Sequence, residues 1–215
     1  MKIYGFPVSP FVRKVLVAAH EKGLDVETVP SNPMQPDEEF LACSPYRKIP
    51  ALDDGGFKLA DSSAIVHYLE ARYPDPALLP ADPQARGKAV WFDEVGDTVV
   101  MAAGGPMMFN RFLRAKIMGE APDHAAADAS EKVVSERLPY LETVLGDDGW
   151  LDGDYSIGDI SVASVLKSFG YADWTLDADA FPKIAGWYDR VCARPGWRKA
   201  AAVEDAMMAA AMSGR

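Results

Sequence analysis

The sequence predicts a small mixed α/β domain followed by an all-helical one. Three observations carry that reading. Strand and helix signals alternate as far as Tyr73; Pro74, Pro76, Pro80 and Pro83 then crowd into a stiff linker; and every segment beyond reads as helix.

Lys2–Phe6 is a short apolar strand closed by Pro7. From Pro10 to Gly23, Val12, Val15, Leu16 and Ala19 fall at i, i+3, i+4 and i+7, one stripe of a helix, and Gly23 is suited to stop it. Val26–Val29 is a second strand ending at Pro30, and Asp37–Cys43 a short helix. Ile49–Leu52 and Phe57–Leu59 flank Asp53-Asp54-Gly55-Gly56, which reads as a hairpin turn. Ala64, Ile65, Tyr68 and Leu69 mark another helix, giving the order β-α-β-α-β-β-α. The helices expected beyond are 84–103, 106–118, 125–145, 159–172, 181–193 and 198–212, with Gly104-Gly105-Pro106 breaking or kinking the first pair.

Composition narrows the function classes. With 215 residues, 49% hydrophobic and 25% charged, the chain matches the globular average and buries roughly 70% of its unfolded surface. Lys plus Arg number 22 against 32 Asp plus Glu, a net charge of −10, and no basic cluster exceeds three residues. That balance argues against nucleic acid or an anionic membrane as partner, since both require a positive face. The N-terminal residues lack a signal-peptide h-region, and the longest apolar run, Val99 to Phe109, holds two glycines and a proline. Cys43 and Cys192 have neither metal-ligand nor CxxC spacing. A cytoplasmic protein without a metal site is expected.

Four constellations stand out. In Phe6-Pro7-Val8-Ser9-Pro10-Phe11-Val12-Arg13-Lys14, Ser9 precedes a helix whose first position suits Pro10. Ser9 either caps that helix or, with the helix N-terminus, presents donors to a bound thiolate or other anion. In Arg47-Lys48-Ile49-Pro50-Ala51-Leu52, Pro50 belongs at a strand start or edge. Its peptide bond is either trans, as most are, or cis, turning the Ile49 backbone toward a ligand's peptide groups. Asp61 and Ser62 precede the third helix; capping explains them, and so does a grip on a ligand's ammonium and carboxylate. Ser156 and Asp159 have capping-box spacing, with Tyr155 and Ile160 placed as a hydrophobic staple, a structural device fixing a helix start.

In this order the first three, Ser9-Pro10-Phe11, Lys48-Ile49-Pro50-Ala51-Leu52 and Asp61-Ser62-Ser63-Ala64-Ile65, closely resemble the N-terminal half of cytosolic glutathione transferases of the serine type, tau-like or a related bacterial class. The Ser156–Asp159 box resembles an element of their helical half. The resemblance implies an α/β thioredoxin-like N-terminal domain over residues 1–76, a linker over 77–84, and an all-α C-terminal domain over 85–215 that supplies a second-substrate pocket. It implies a homodimer, with glutathione as co-substrate and a small apolar electrophile as its partner in reaction. Ser9 then donates to the glutathione sulfur, Lys48 reaches the glycyl carboxylate, the Ile49 backbone beside cis Pro50 pairs with the cysteinyl residue, and Asp61 and Ser62 hold the γ-glutamyl end. The family more often carries Glu or Gln where this chain has Asp61. Related enzymes that place cysteine where Ser9 stands exchange disulfides, and Cys43 does not match that position.

The thiolate dictates the chemistry expected. A free thiol has a pKa of about 8.5, so lowering it by about two units takes roughly 2.7 kcal/mol in favour of the anion. A hydroxyl hydrogen bond to a charged acceptor contributes about 1.5–3 kcal/mol, and a helix N-terminus roughly 0.3–1 more. Together these suffice without a general base or a metal, so Ser9 is expected to be a donor rather than a nucleophile. Phe6, Pro7, Met107, Met108, Phe109 and Phe112 are the residues expected to line the electrophile pocket, though ordinary core packing accounts for each equally well. The tail with Met207, Met208 and Met212 either folds over that pocket or frays. A non-catalytic glutathione-binding protein, or a glutathione-dependent lyase, isomerase or peroxidase, shares the same scaffold.

Overall fold

The computed structural model describes residues 1–151 and 153–213, with side chains to residue 209, so the Met212 side chain lies outside the described residues. Two compact units emerge: Met1–Leu78 together with the chain from Cys192 onward, and Leu79–Val191.

The first unit follows the expected order: β1 (Lys2–Tyr4), α1 (Pro10–Glu21), β2 (Glu27–Val29), α2 (Glu38–Cys43), β3 (Ala51–Asp54), β4 (Phe57–Ala60) and α3 (Ser62–Arg72). The sheet order is β2-β1-β3-β4, with β1 parallel to β2 and antiparallel to β3, and β3 antiparallel to β4. In the register Ile3 faces Leu52 across β1 and β3, and Tyr4 faces Ala51. The α1 stripe of Val12, Val15, Leu16 and Ala19 is fully buried, as are Ile3 and Leu52 in the sheet. Of the α3 stripe Ile65 and Leu69 are fully buried, while Ala64 and Tyr68 are half-buried and Val66 takes a place in the core. Strand bounds differ from the expected runs: β1 stops at Tyr4 rather than Phe6, β2 starts one residue later at Glu27, β3 is displaced by two residues to Ala51–Asp54, and β4 runs one residue further to Ala60.

The last helix, α9 (Pro195–Ser213), packs on α1 and so belongs with this unit, whereas a boundary at residue 85 groups it with the helical one. Trp197 and Ala200 are buried, Arg194 grips Glu21 through two bonds of 3.1 and 2.7 Å, and Lys199 pairs with Asp25 at 3.1 Å. Local periodicity gives a helix but says nothing of which neighbour it packs against.

The second unit begins with α4 (Pro83–Glu94), which continues through a wider-turned π segment (Val95–Val100), α5 (Met101–Met107) and a second π segment (Met108–Met118). α6 (His124–Val144), α7 (Ile157–Phe169) and α8 (Pro182–Ala193) follow. Of the break or kink expected at Gly104-Gly105-Pro106, the break does not occur: the backbone is helical through all three, with Pro106 inside α5. Gly104 serves close packing instead, since a Cβ there would fall 2.2 Å from the Phe169 ring on α7. α7 is buried along its whole length except at Lys167. Its start carries the expected capping box, and the Asp159 carboxylate also accepts from Leu151 N at 3.0 Å and Trp187 Nε1 at 2.7 Å. Burial pushes the Asp159 carboxyl up from its ordinary value, while the hydrogen bonds from Leu151, Trp187 and Ser156 pull the other way.

Candidate functional site

The candidate site residues of the first unit stand on two helix starts and one proline-bearing loop. Ser9 is the N-cap of α1, half-buried with extended backbone (φ −68°, ψ 129°), and its hydroxyl makes no capping hydrogen bond. Its carbonyl accepts from Arg13 N at 2.9 Å, closing the first helical turn. Pro10 has no amide hydrogen, so the first orphan donors of α1 are the amides of Phe11 and Val12. An N-cap serine ordinarily spends its oxygen on such donors. Here the hydroxyl does not cap the helix.

The turn carrying Ser9 is held tightly. Gly5 has φ +141°, its N–H donates to Val29 O at 2.9 Å, and a Cβ there would fall 2.6 Å from Val12 Cγ2 and 3.1 Å from Ile49 Cβ. Only glycine lets the end of β1, the start of α1 and the loop before β3 approach this closely. Phe6 beside it is half-buried and Pro7 buried.

The Ile49–Pro50 bond is cis, the second of the two readings the sequence leaves open. Ile49 lies outside the sheet register, which starts at Ala51. The loop before it is clasped by Ser44, whose hydroxyl donates to Lys48 O at 2.7 Å and accepts from Lys48 N at 2.8 Å. That clasp fixes the Lys48 backbone while its side chain stands exposed.

At the start of α3, Asp61 caps through its Oδ1, accepting from Ala64 N at 3.0 Å, so the structural reading of Asp61 holds. Its backbone is unusual: φ +88° and ψ 130°, a region L-residues rarely occupy at a cost of about 1–3 kcal/mol. Ser62 follows, buried at 4% exposure, as the first helical residue. Lys14 Nζ donates to Ser63 Oγ at 3.1 Å, tying the first half of α1 to this turn of α3.

The remaining expected residues lie in the helical unit. Met107 is fully buried, with its N–H donating to Ser130 Oγ at 3.1 Å, and Met108 and Phe112 are nearly so, Phe112 stacking on Tyr171. Phe109 is 46% exposed, with Arg114 against its ring. Sequence reasoning passed over Arg13 and Lys14, both buried to 1% exposure in α1. The only local signal was two adjacent cations interrupting an apolar helix. Among the described residues no cluster of three or more His, Cys, Asp or Glu side chains is arranged to hold a metal ion.

Comparison with known proteins finds relatives over most of the chain. Residues 3–77 match the family model described as glutathione S-transferase, N-terminal domain, and residues 100–195 the glutathione S-transferase C-terminal domain. Glutathione S-transferase 3 of Zea mays is 33% identical over 212 residues, covering 94% of this chain and 93% of its own. A glutathione S-transferase from Rhodospirillum rubrum superposes with a TM-score of 0.86 at 31% identity, covering 93% of this chain and 90% of the other. Glutathione S-transferase I from maize, solved in complex with an atrazine glutathione conjugate, aligns with a TM-score of 0.81 at 28% identity, covering 95% and 97%. Two family models that together match most of the chain, and relatives above 30% identity aligned over more than nine-tenths of both chains, place this chain in the glutathione S-transferase family.

Proposed function

We propose that this protein is a serine-type glutathione transferase that joins the glutathione thiolate to small apolar electrophiles. The observation that carries the reading is the Ser9 hydroxyl at the mouth of α1, uncommitted to its own helix. One charge-assisted bond from it, together with the orphan amides of the first turn, meets the roughly 2.7 kcal/mol needed to hold the thiol ionised near neutral pH. The thiol proton leaves to solvent on binding. The thiolate then attacks the electrophilic carbon, a C–S bond forms, and with an aryl halide the halide departs with its bonding pair. Ser9 gives up no proton in this scheme.

For the tripeptide, the exposed Lys48 ammonium is suited to the glycyl carboxylate and the Ile49 backbone, outside the sheet ladder, to the cysteinyl peptide. Asp61 and Ser62 are assigned the γ-glutamyl end. The strained φ at Asp61 supports this, because such backbone persists where the surroundings require it and clusters at ligand clamps. Phe6 and Pro7 flank the Ser9 turn with apolar surface, and in the helical unit Phe109 is the member of the Met107–Phe112 stretch with most surface to offer. Cys43 and Cys192 form no disulfide, in keeping with a reducing, cytoplasmic setting. A homodimer is supported by an apolar face on the helical unit, where Trp91, Val99 and Tyr140 are each more than 40% exposed.

The decisive experiment compares wild type with Ser9→Ala using a chromogenic aryl halide and calorimetry of glutathione binding. The expected result is a loss of about 10- to 150-fold in kcat/KM, an alkaline shift of its pH profile, and nearly unchanged glutathione affinity. An unshifted profile sinks the role given to Ser9. Glutathione binding by the wild type, without turnover across a panel of electrophiles, marks a binding protein instead.

A further inference from the structure

We propose that Glu204, acting through Arg13, is a positioning residue for the Ser9 turn, so that the C-terminal helix forms part of the thiolate-stabilising machinery; this rests on the reading of Ser9 as the thiolate donor. Arg13 and Glu204 stand 191 residues apart in sequence and are 1% and 0% exposed. Arg13 Nε donates to Glu204 Oε2 at 2.7 Å, and Arg13 Nη2 donates to Oε1 in a second bond. This two-pronged grip fixes the plane of the guanidinium. The same Nη2 reaches Val8 O at 3.3 Å.

That third contact gives the pair its function. Val8 C=O and Ser9 N–H belong to one peptide unit, and its N–H donates to Phe6 O at 2.9 Å. The plane is thus held at both ends, by Phe6 on the amide side and Arg13 on the carbonyl side. Its orientation sets φ of Ser9 and with it the direction in which the hydroxyl leaves the cap. A buried ion pair is weak evidence of stabilisation, because apolar residues of similar volume often do as well. A planar cation with a fixed fork, locked from α9, supplies direction that an apolar contact lacks.

The test is Arg13→Lys, which keeps the charge opposite Glu204 but loses the fork. The expected result is a kcat/KM about tenfold lower and a bound-glutathione thiol pKa about one unit higher, read by ultraviolet thiolate absorbance. KM for glutathione should stay within about twofold of wild type. A second variant, Arg13→Met with Glu204→Leu, separates positioning from packing and serves if the lysine variant does not fold. It should melt near the wild type while the thiol pKa remains raised. A wild-type thiol pKa in either folded variant overturns the proposal. In a Ser9→Ala background, Arg13→Lys should shift the thiol pKa no further, and a full additional shift also overturns it. If Ser9→Ala alone leaves the pKa unmoved, the underlying reading of Ser9 fails; if only the Arg13 variants leave it unmoved, the failure is confined to the positioning role.

Discussion

Tyr4 at the end of β1 and Ser9 at the start of α1 are two hydroxyls near the N-terminal turn to weigh for the proposed role of thiolate donor, and their surroundings separate them. Tyr4 is 2% exposed on β1, and its hydroxyl donates to Glu39 Oε2 at 3.4 Å. Burial first, and then the negative charges of Cys43, Glu39 and Asp53, push its phenol up to about 12. A phenol so engaged has little reason to stabilise a second anion. Tyr4→Phe is therefore expected to keep conjugation within about twofold of wild type, in contrast to Ser9→Ala. The raised value also has a thermodynamic consequence. Neutral Tyr4 is favoured by the fold, so its contribution to stability is whole below pH 10 and is lost as pH climbs from 10 through about 12. Denaturant melts across that window should show wild type losing more stability than Tyr4→Phe. Equal slopes for the two would mean that the Tyr4 phenol titrates normally.

Among elements, the start of α7 shows how local chemistry and distant packing combine. The Ser156–Asp159 box was legible because it is written in four consecutive residues, with Asp159 accepting from Ser156 N at 2.9 Å and the Ser156 hydroxyl accepting from Gly158 N. What spacing could not reveal is that the same carboxylate also satisfies Leu151 N and the Trp187 indole. Asp159→Ala strands three buried donors at about 1–3 kcal/mol each, so a loss of at least about 3 kcal/mol is expected by chemical denaturation, against a few tenths for a surface control. A loss under about 1 kcal/mol would mean water takes over those donors. The same contrast explains why the helix continues through Gly104. Two glycines and a proline are a local signal for a break, but the reason for Gly104 is the Phe169 ring, 65 residues away in sequence. The proposed site divides likewise: Ser9, Asp61 and Ser62 stand at helix starts, which announce themselves, whereas the Arg13–Glu204 pair joins residues that no local pattern links.

At the scale of the whole molecule, a net charge of −10 makes two copies repel, so self-association has to rest on apolar contact. The helical unit offers such a face. Trp91 is 42% exposed, Tyr140 is 48% exposed, and the two rings meet edge-on at 5.7 Å between centroids, with Lys88 Nζ 5.2 Å from the Trp91 ring. Val99, eight residues further along the same helical run, is 41% exposed. An aromatic pair held in a defined geometry suits the centre of an interface, where Trp and Tyr contribute most, and a carboxylate placed there would be desolvated without a partner. Trp91→Glu is accordingly expected to convert a dimer at low micromolar concentration into a monomer by sedimentation equilibrium, with helix content by circular dichroism unchanged because the side chain is already partly in solvent. Raised salt should tighten the proposed dimer by screening the like charges, which is the reverse of what an interface built on ion pairs would do. A wild type that sediments as a monomer, or a dimer that Trp91→Glu leaves intact, would move self-association away from this face.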